Sequence, residues 1–336
     1  MLTSTYLPAP PTQPKLPSER GPSSRRMIEL LRGEPAGPIP DVEGESALAD
    51  DDLQLALWLA YELHYRGFAG VPADAEWDPA ILAFRQLLEN RFVAALAATV
   101  PLDPHVLPAD VPARLGKLVA EDDGPALSTY LQRSATEQQF REFVQHRSLY
   151  QLKEADPHSW AIPRLAGAAK AALVEIQADE YGGGRPEQMH SELFRATLRG
   201  FGLTDGYADY LDVAPGCTLA ISNLMSLFGL HRRWRGALAG HLAVFEMTSS
   251  IPNSRYARGI RRLGGTDEAA RYYDEHVAAD AVHEQIAAFD LCGQLALAEP
   301  ELAGDILFGG AAALALDAAF ARHVLACWEA GRPSLR

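Results

Sequence analysis

Two histidines and an aspartate, His276, Asp280 and His283, form the pattern H-x3-D-x2-H in a segment otherwise rich in small and apolar residues. At about 100° per residue, positions i, i+4 and i+7 of a helix lie within roughly 60° of one another, so the three side chains share one stripe. Burying them without a partner is costly, and a metal ion removes that cost. Imidazole and carboxylate ligands suit iron or manganese. The alternative is a polar seam of structural histidines.

Three glutamates and a further histidine lie where helices would direct them toward such a site. Glu246 is deep in the apolar segment HLAVFEMTSS, and Glu154 and Glu180 each end an amphipathic helix. The complete candidate ligand set is Glu154, Glu180, His190, Glu246, His276, Asp280 and His283. Its carboxylates could be neutralised by two divalent ions, and paired ions about 3.5–4 Å apart are recurrent in small-molecule chemistry.

Polar residues that follow Glu246 are candidates for substrate binding. Arg255 or Tyr256 could line a pocket and bind a substrate carboxylate, and Ser249 and Asn253 could orient the substrate. The alternative for the arginines of this segment is an exposed basic face. Structural, solvated or ion-paired roles are expected for the remaining helical histidines and carboxylates, namely His64, His146, His158, His231, His241, Glu142, Glu175 and Glu187.

Helical periodicity governs the chain from about residue 45 onward, and no alternating pattern is long enough to indicate a strand. Helices are predicted at 55–68, 79–98, 112–120, 127–153, 161–180, 186–201, 214–229, 231–248, 267–296 and 299–331. Residues 1–40 hold nine of the 23 prolines, which cannot join regular hydrogen-bond ladders, so this part is predicted to be a mobile arm with one short helix at 26–32. The fold class is all-α, with a helix bundle as the main domain.

Composition excludes several partners. The net charge is −14, which argues against nucleic acid and against an anionic membrane surface. The longest apolar run, 306–316, has 11 residues, short of the roughly 20 that span a bilayer. The three cysteines are far apart, which argues against a thiolate zinc site or a disulfide framework. With no signal-peptide pattern, a cytoplasmic location is expected.

The candidate ligands resemble those of the haem-oxygenase-like diiron oxidases and oxygenases, a family of iron-containing redox enzymes. In that family a glutamate ends a first core helix, a second glutamate is followed by a histidine, and a third precedes a late H-x3-D-x2-H. The intervals here are 26 from Glu154 to Glu180, 10 from Glu180 to His190 and 30 from Glu246 to His276. They are closest to those of the N-oxygenase branch that serves streptozotocin biosynthesis.

This resemblance implies an architecture and a set of cofactors. It implies a haem-oxygenase-like bundle of about seven core helices. The domains would be a proline-rich disordered arm at 1–40, accessory N-terminal helices at 41–122 and a diiron domain at 123–336. The seven candidate residues would hold two irons that alternate between Fe(II) and Fe(III), with Glu180 or Glu154 as a bridge and no haem. O2 would be the co-substrate, an external donor would supply electrons, and the accessory helices would form a homodimer.

The expected activity is N-oxygenation of an amine or guanidine in a small metabolite. It would proceed by N-hydroxylation and could continue to a nitro or nitroso group. One alternative is oxidative C–C cleavage or decarboxylation of an amino or fatty acid at the same site. Another is a helical protein that binds metal without turnover, and a third is a haem oxygenase proper. The ligands do not separate these activities, because they share the metal site.

Overall fold

The computed structural model describes residues 13–34, 47–100, 102–103 and 105–336, except the side chains of residues 278–281. Within these ranges the chain forms helices and no strand, so the all-α prediction is confirmed. The α-helices are α1 (Pro22–Leu31), α2 (Asp51–Glu62), α3 (Pro79–Thr99), α4 (Val111–Ala120), α5 (Leu127–Arg133), α6 (Glu137–Gln151), α7 (Asp156–Ser159), α8 (Gly167–Glu180), α9 (His190–Gly200), α10 (Gly216–Leu230), α11 (Arg235–Arg262), α12 (Asp267–Gln285), α13 (Gln294–Ala298) and α14 (Ala303–Glu329).

Several helices begin at residues whose side chains accept hydrogen bonds from the first turn. Asp50, Asp78 and Thr266 cap α2, α3 and α12 in this way. Thr136 caps α6 by accepting from the backbone N–H of Gln139, whose side chain accepts in return from the backbone of Thr136. The prediction of a single helix at 127–153 was therefore wrong, because α5 ends at Arg133 and the cap at Thr136 starts α6 as a separate helix.

The long helix α11 differs from its predicted end at residue 248. It continues to Arg262 with Pro252 in its interior. Proline has no N–H to donate to the carbonyl four residues earlier, that of Thr248, yet the neighbouring helices hold the segment helical. This extension places the residues after Glu246 on the same helix as Glu246 itself, which matters for the cavity described below.

The helices α11, α12 and α14 pack closely at the centre of the bundle. Gly240 on α11 and Gly309 on α14 allow the two backbones to approach, since a Cβ on either glycine would overlap a carbonyl oxygen of the facing helix. A π-helical segment, Ile286–Gly293, follows α12 and interrupts the continuous helix predicted at 267–296. Such segments are often found next to functional sites.

The N-terminal part packs on the bundle where the structure describes it. Met27, Ile28 and Leu31 of α1 are buried, and the N–H groups of Ser23 and Ser24 each donate to Asp52 of α2 at 2.7 Å. This short helix was predicted, but residues 22–31 are held against α2 rather than extending as a mobile arm. Residues 1–12 and 35–40 of the predicted arm lie outside the described residues. The domain division itself stays a prediction.

One stretch, Pro300–Glu329, is long and apolar enough to cross a membrane on length and composition alone. Its most apolar window is 56% buried inside the bundle, where α14 packs against α11 and α10. This burial is typical of the core helix of a helical domain. Packing in the bundle therefore accounts for its apolar composition.

Candidate metal centre

Helix ends and two long helices carry the predicted ligands. Glu180 is the last residue of α8, and His190 is the first residue of α9. Glu154 lies in the turn after α6, while Glu246 lies in the middle of α11. His276 and His283 lie on α12, two turns apart. The backbone of Asp280 lies between them on the same helix, but its side chain is outside the described part of the structure.

One group of four side chains gathers around Glu154. Ligand atoms of Glu154, Glu180, His190 and His276 all lie within 4.8 Å of one another. Nδ1 of His190 is 2.8 Å from Oε2 of Glu180, and Nε2 of His276 is 3.7 Å from Oε1 of Glu154. The two imidazole rings have centroids 4.3 Å apart. Two carboxylates and two imidazoles thus converge on one point.

A second group forms around His283. Ligand atoms of Glu180, Glu246 and His283 lie within 4.8 Å of one another, and Nδ1 of His283 is 3.5 Å from Oε2 of Glu246. Glu180 belongs to both groups and therefore lies at their junction. Of the two glutamates considered as a bridge, the geometry favours Glu180. Six of the seven predicted residues come together in these two groups.

In the first group, hydrogen bonds from neighbouring residues orient the side chains of Glu154 and His276. The hydroxyl of Tyr272 lies 2.7 Å from both carboxylate oxygens of Glu154, and that of Tyr150 donates to Oε1 at 2.9 Å. His276 Nδ1 donates to the Tyr272 carbonyl at 2.8 Å, which leaves Nε2 to face Glu154. Such outer partners fix the tautomer and the ring orientation of metal-binding histidines.

His283 is oriented from the other side. Its Nε2 donates to Oδ2 of Asp179 at 3.0 Å, so Nδ1 is the nitrogen that faces Glu246. Asp179 immediately precedes Glu180 on α8. A single turn of α8 therefore supplies both the shared carboxylate and the partner that sets the ring of His283.

The pKa values of Glu180 and His283 are set by neighbouring groups of opposite charge in the two ligand groups. Burial alone would raise the pKa of Glu180, but the imidazoles of His190, His276 and His283 outweigh it and lower the pKa to about 2. Burial would lower the pKa of His283, but Glu246 and Asp179 outweigh it and raise the pKa to about 9. Glu180 is therefore an ionised carboxylate, as a bridging metal ligand must be.

Among the side chains that the structure describes, three of the converging atoms are buried and have no hydrogen-bond partner. They are Oε2 of Glu180, Nδ1 of His190 and Nδ1 of His283. The first two approach to 2.8 Å without the alignment of a hydrogen bond. Buried polar atoms are ordinarily paired, so each exception calls for an explanation. A metal ion provides one, since these carboxylate and imidazole atoms are the ligands that suit iron. The residues present fit an iron site.

A tight turn connects Glu180 to His190. Gly182, Gly183 and Gly184 all have φ between +58° and +80°. A Cβ on Gly182 would lie 2.7 Å from the backbone of Gln188 and Met189. These left-handed conformations, which glycine adopts readily, let the chain reverse direction within a few residues. The reversal places the end of α8 beside the start of α9.

A cavity of about 370 Å³ adjoins the two groups. Glu154, Glu180, Glu246 and His276 form part of its wall. All four residues predicted to bind substrate, namely Ser249, Asn253, Arg255 and Tyr256, also line it. Because α11 continues past residue 248, these four residues share a helix with Glu246.

Sequence reasoning missed several residues that belong to the site. Tyr150, Tyr272 and Asp179 carried no local signal, since each acts on a residue whose position depends on the fold. His158, expected to be structural or exposed, lines the cavity, and its Nε2 lies 3.2 Å from Nδ1 of His241. Burial lowers the pKa of His158 to about 4, so it is neutral at pH 7.

Glu142 was expected to be solvated or ion-paired, and that expectation was wrong. Its carboxylate is buried and accepts hydrogen bonds from the Trp328 indole and from both the backbone N–H and the hydroxyl of Ser334. His146 is structural, as expected, and its two ring nitrogens contact Thr218 and Ser334. Neither residue belongs to the two ligand groups.

Comparison with known proteins places this site in context. The sequence model of a family described as iron-containing redox enzyme matches residues 141–318, which include all seven candidate ligands. Nitrosourea synthase from Streptomyces achromogenes subsp. streptozoticus is 26% identical over 136 residues, which are 40% of this chain. The chain spans 29% of the length of that curated relative.

Proposed function

Because the chain belongs to the family of iron-containing redox enzymes, we propose that it is a non-haem diiron oxygenase that uses O2 to N-oxygenate an amine or guanidine. Family membership supports the coarser statement that the chain is an iron-dependent oxidoreductase. The number of irons, the absence of haem and the reaction at nitrogen are parts of the proposal. An external electron donor belongs to it as well.

The observation that carries the proposal is the sharing of Glu180 between two ligand groups. Glu154, His190 and His276 lie on one side of Glu180, and Glu246 and His283 lie on the other. A single ion could not use both groups fully, whereas two ions could share Glu180 between them. Asp280 is proposed to complete the set. Its carboxylate would be the fourth, so that two divalent ions would balance the charge of the acidic ligands.

Bound iron would supply the one-electron redox chemistry and O2 chemistry that protein side chains lack. The chain's own residues orient and shield the site. Tyr150 and Tyr272 restrain Glu154, and Asp179 restrains His283. Burial first, and then the charge of Glu154, raise the pKa of both tyrosines well above its usual value, so their hydroxyls stay protonated and keep donating.

Reaction at nitrogen is favoured over C–C cleavage by three considerations. The intervals between the candidate ligands match the N-oxygenase branch, and the partial relative is named for the synthesis of a nitrosourea. The cavity also carries polar residues of α11 beside the ligand groups, which suits a small polar metabolite better than a long apolar chain.

Product analysis after labelling tests this proposal. Protein loaded with Fe(II) without oxygen would be mixed with candidate amines and guanidines, exposed to 18-O2, and its products analysed by mass spectrometry. We expect 18-O on nitrogen, and none with a His276→Ala variant. Release of CO2 or of a carbon fragment, with no label on nitrogen, would contradict N-oxygenation and favour oxidative cleavage.

A further inference from the structure

A buried ion pair lies one residue from the candidate ligand Glu154. Nζ of Lys153, in the turn after α6, is 3.1 Å from Oε2 of Glu62, the last residue of α2. The exposed fraction is 1% for the lysine side chain and 0% for the glutamate side chain. Tyr207, in the loop before α10, donates from its hydroxyl to the same carboxylate oxygen at 2.7 Å. Three distant parts of the chain therefore meet at Glu62.

Aromatic rings fix the ammonium group of Lys153. Its Nζ lies 4.3 Å from the centroid of the Tyr65 ring and 5.1 Å from that of Trp58, a residue of α2. A cation over a ring face is attracted to it, and more strongly when water is excluded. The side chain of Lys153 is thus held by α2 and the residues that follow it, whereas the carboxylate of the next residue, Glu154, contacts Tyr272 of α12.

The backbone of the same turn is held from this side as well. Nη2 of Arg66 donates to the carbonyl of Leu152 at 3.4 Å, and the guanidinium carbon lies 4.0 Å from the centroid of the Tyr207 ring. The backbone N–H of Arg66 donates to Oε1 of Glu62 at 3.3 Å. Arg66 and Glu62 therefore hold the two residues that directly precede Glu154.

These contacts lie beside the first ligand group, which consists of Glu154, Glu180, His190 and His276. A second cavity, of about 40 Å³, is lined by Arg66 and Lys153. Three members of the first ligand group, Glu154, Glu180 and His190, line it too. A space of this size has room for about two or three water molecules. The ion pair's surroundings and the first ligand group thus face each other across a narrow gap.

We infer that Glu62, Lys153 and Arg66 are positioning residues that fix the turn carrying Glu154, so that α2 contributes to the metal centre. The inference rests on the proposed function only in taking Glu154 as an iron ligand. The side chain of Glu154 is oriented by tyrosines, and the backbone that carries it is oriented from α2. Ligand constellations need such support, because they must be held to within about 0.5 Å.

The burial of the pair favours positioning over stability as its role. Both charges lose their hydration, so a buried pair contributes little net stability, and apolar residues of similar size often replace it without loss. Apolar packing would therefore be sufficient to attach α2 to the turn. A hydrogen-bonded pair has in addition a preferred distance and direction, which apolar contacts lack. This directionality is what a turn that presents a metal ligand requires.

Competition for Fe(II) against a chelator of known affinity, without oxygen, tests the inference on the full chain. Glu62→Gln keeps the shape of the side chain and removes its charge, and should weaken iron binding about tenfold. In the double variant Glu62→Gln/Lys153→Met neither charge of the pair is left buried, so we expect thermal stability to return to that of the wild type. Iron affinity should not recover, because the directional contact is still missing.

Two backgrounds assign the loss to one ligand group. Glu246→Ala disrupts the second group and retains the first, and there Glu62→Gln should weaken iron binding about tenfold. His276→Ala disrupts the first group and retains Glu180, Glu246 and His283. In that background Glu62→Gln should leave iron affinity unchanged.

Glu142→Gln is the matched control. Glu142 is also a buried carboxylate, it accepts three hydrogen bonds from Trp328 and Ser334, and it lines neither cavity. Its substitution should lower thermal stability and leave iron affinity unchanged. Arg66→Gln is a milder test, because Arg66 is half-buried and its loss leaves the ion pair intact. Iron affinity should fall in this variant, by less than in the Glu62→Gln protein.

Wild-type iron affinity in the folded double variant would overturn the inference, and so would equal losses of affinity in Glu62→Gln and Glu142→Gln. If the double variant does not fold, Arg66→Gln decides: unchanged affinity overturns the inference and reduced affinity supports it. The number of irons in the wild type tests the proposed function separately. Two irons with unaffected variants would leave the proposed function standing, whereas one iron, bound less tightly in Glu62→Gln, would contradict it and retain the positioning role.

Discussion

Tyr272 holds Glu154 from 118 residues further along the chain, with its hydroxyl 2.7 Å from each carboxylate oxygen. The same residue accepts a hydrogen bond at its carbonyl from Nδ1 of His276, so it restrains two candidate ligands of one group. Its ring packs at 4.3 Å from the His276 ring and is buried. Tyr272 therefore connects the turn after α6 to α12 at the candidate metal centre.

Removing that hydroxyl should weaken iron binding without unfolding the protein. In a Tyr272→Phe variant, Glu154 loses a donor and a fixed orientation. We expect the Fe(II) affinity of the site that contains Glu154 to fall by about 10- to 100-fold, the range for outer partners of metal ligands. Competition against a chelator of known affinity measures it.

The adjacent residue supplies the control for that experiment. Tyr273 is also fully buried, but its hydroxyl has no hydrogen-bond partner in the described part of the chain. Tyr273→Phe should therefore leave iron affinity unchanged. Equal losses of affinity in the two variants would show that the hydroxyl of Tyr272 has no special role.

Asp179 should matter for the second group. Asp179→Asn removes the negative partner of His283 Nε2 and allows the ring to adopt other orientations. We expect iron affinity to fall about tenfold. Glu175→Gln, an exposed position on the same helix, should change nothing. Chelator competition again provides the measurement, and an Asp179→Asn protein with unchanged affinity would contradict the assigned role.

The glycine turn between Glu180 and His190 should tolerate side chains unequally. Gly184 has φ of +80° and open space around a Cβ, so Gly184→Ala should cost about 1 kcal/mol of unfolding free energy from the backbone alone. Gly182→Ala adds a collision with the backbone of Gln188 and Met189, and should cost more and also weaken iron binding through His190. Urea unfolding measures both variants. Equal costs would contradict the close approach.

Acid should destabilise the fold through His146. Burial, followed by the charges of His323 and Arg147, lowers the pKa of His146 to about 3, against 6.5 for the free side chain. The neutral ring contributes its full stability above pH 6.5. That stability is lost as the pH falls from 6.5 toward 3, because the unfolded chain takes up a proton that the folded chain does not.

A His146→Gln variant tests this dependence. Glutamine can still contact Thr218 and Ser334 but does not titrate, so the melting temperature should fall less steeply between pH 6.5 and pH 4 than in the wild type. His105→Gln, at an exposed position, serves as the control. Identical slopes in all three proteins would contradict the buried neutral ring.

The site residues that could be predicted are those whose positions follow from local sequence patterns, such as helical spacing and helix ends. His276 and His283 have a helical spacing, Glu180 ends its helix and His190 begins the next, so periodicity and turn residues were sufficient to identify them. The contacts of Tyr272 and Asp179 were not predictable, because they depend on how helices pack. For the same reason the predicted end of α11 at residue 248 was wrong, because tertiary packing holds the segment around Pro252 helical.

The N-terminal arm illustrates another limit of prediction from sequence. Proline content predicted a mobile N-terminal arm, yet α1 is short, amphipathic and buried against α2 through Met27 and Leu31. Composition indicates whether a segment can form a stable structure by itself. It does not indicate whether another helix packs against the segment and buries its apolar side chains. The break between α5 and α6, by contrast, has a local signal, because Thr136 and Gln139 form a capping box at the start of α6.

Two irons that share Glu180 are the core of the proposed function, and an anaerobic Fe(II) titration with metal analysis after desalting tests this arrangement most directly. We expect two irons per chain in the wild type and in the exposed control Glu175→Ala, one iron in Glu246→Ala, and a loss of affinity at both sites in Glu180→Ala. One iron per chain in the wild type, or two tightly bound irons in Glu180→Ala, would contradict the account.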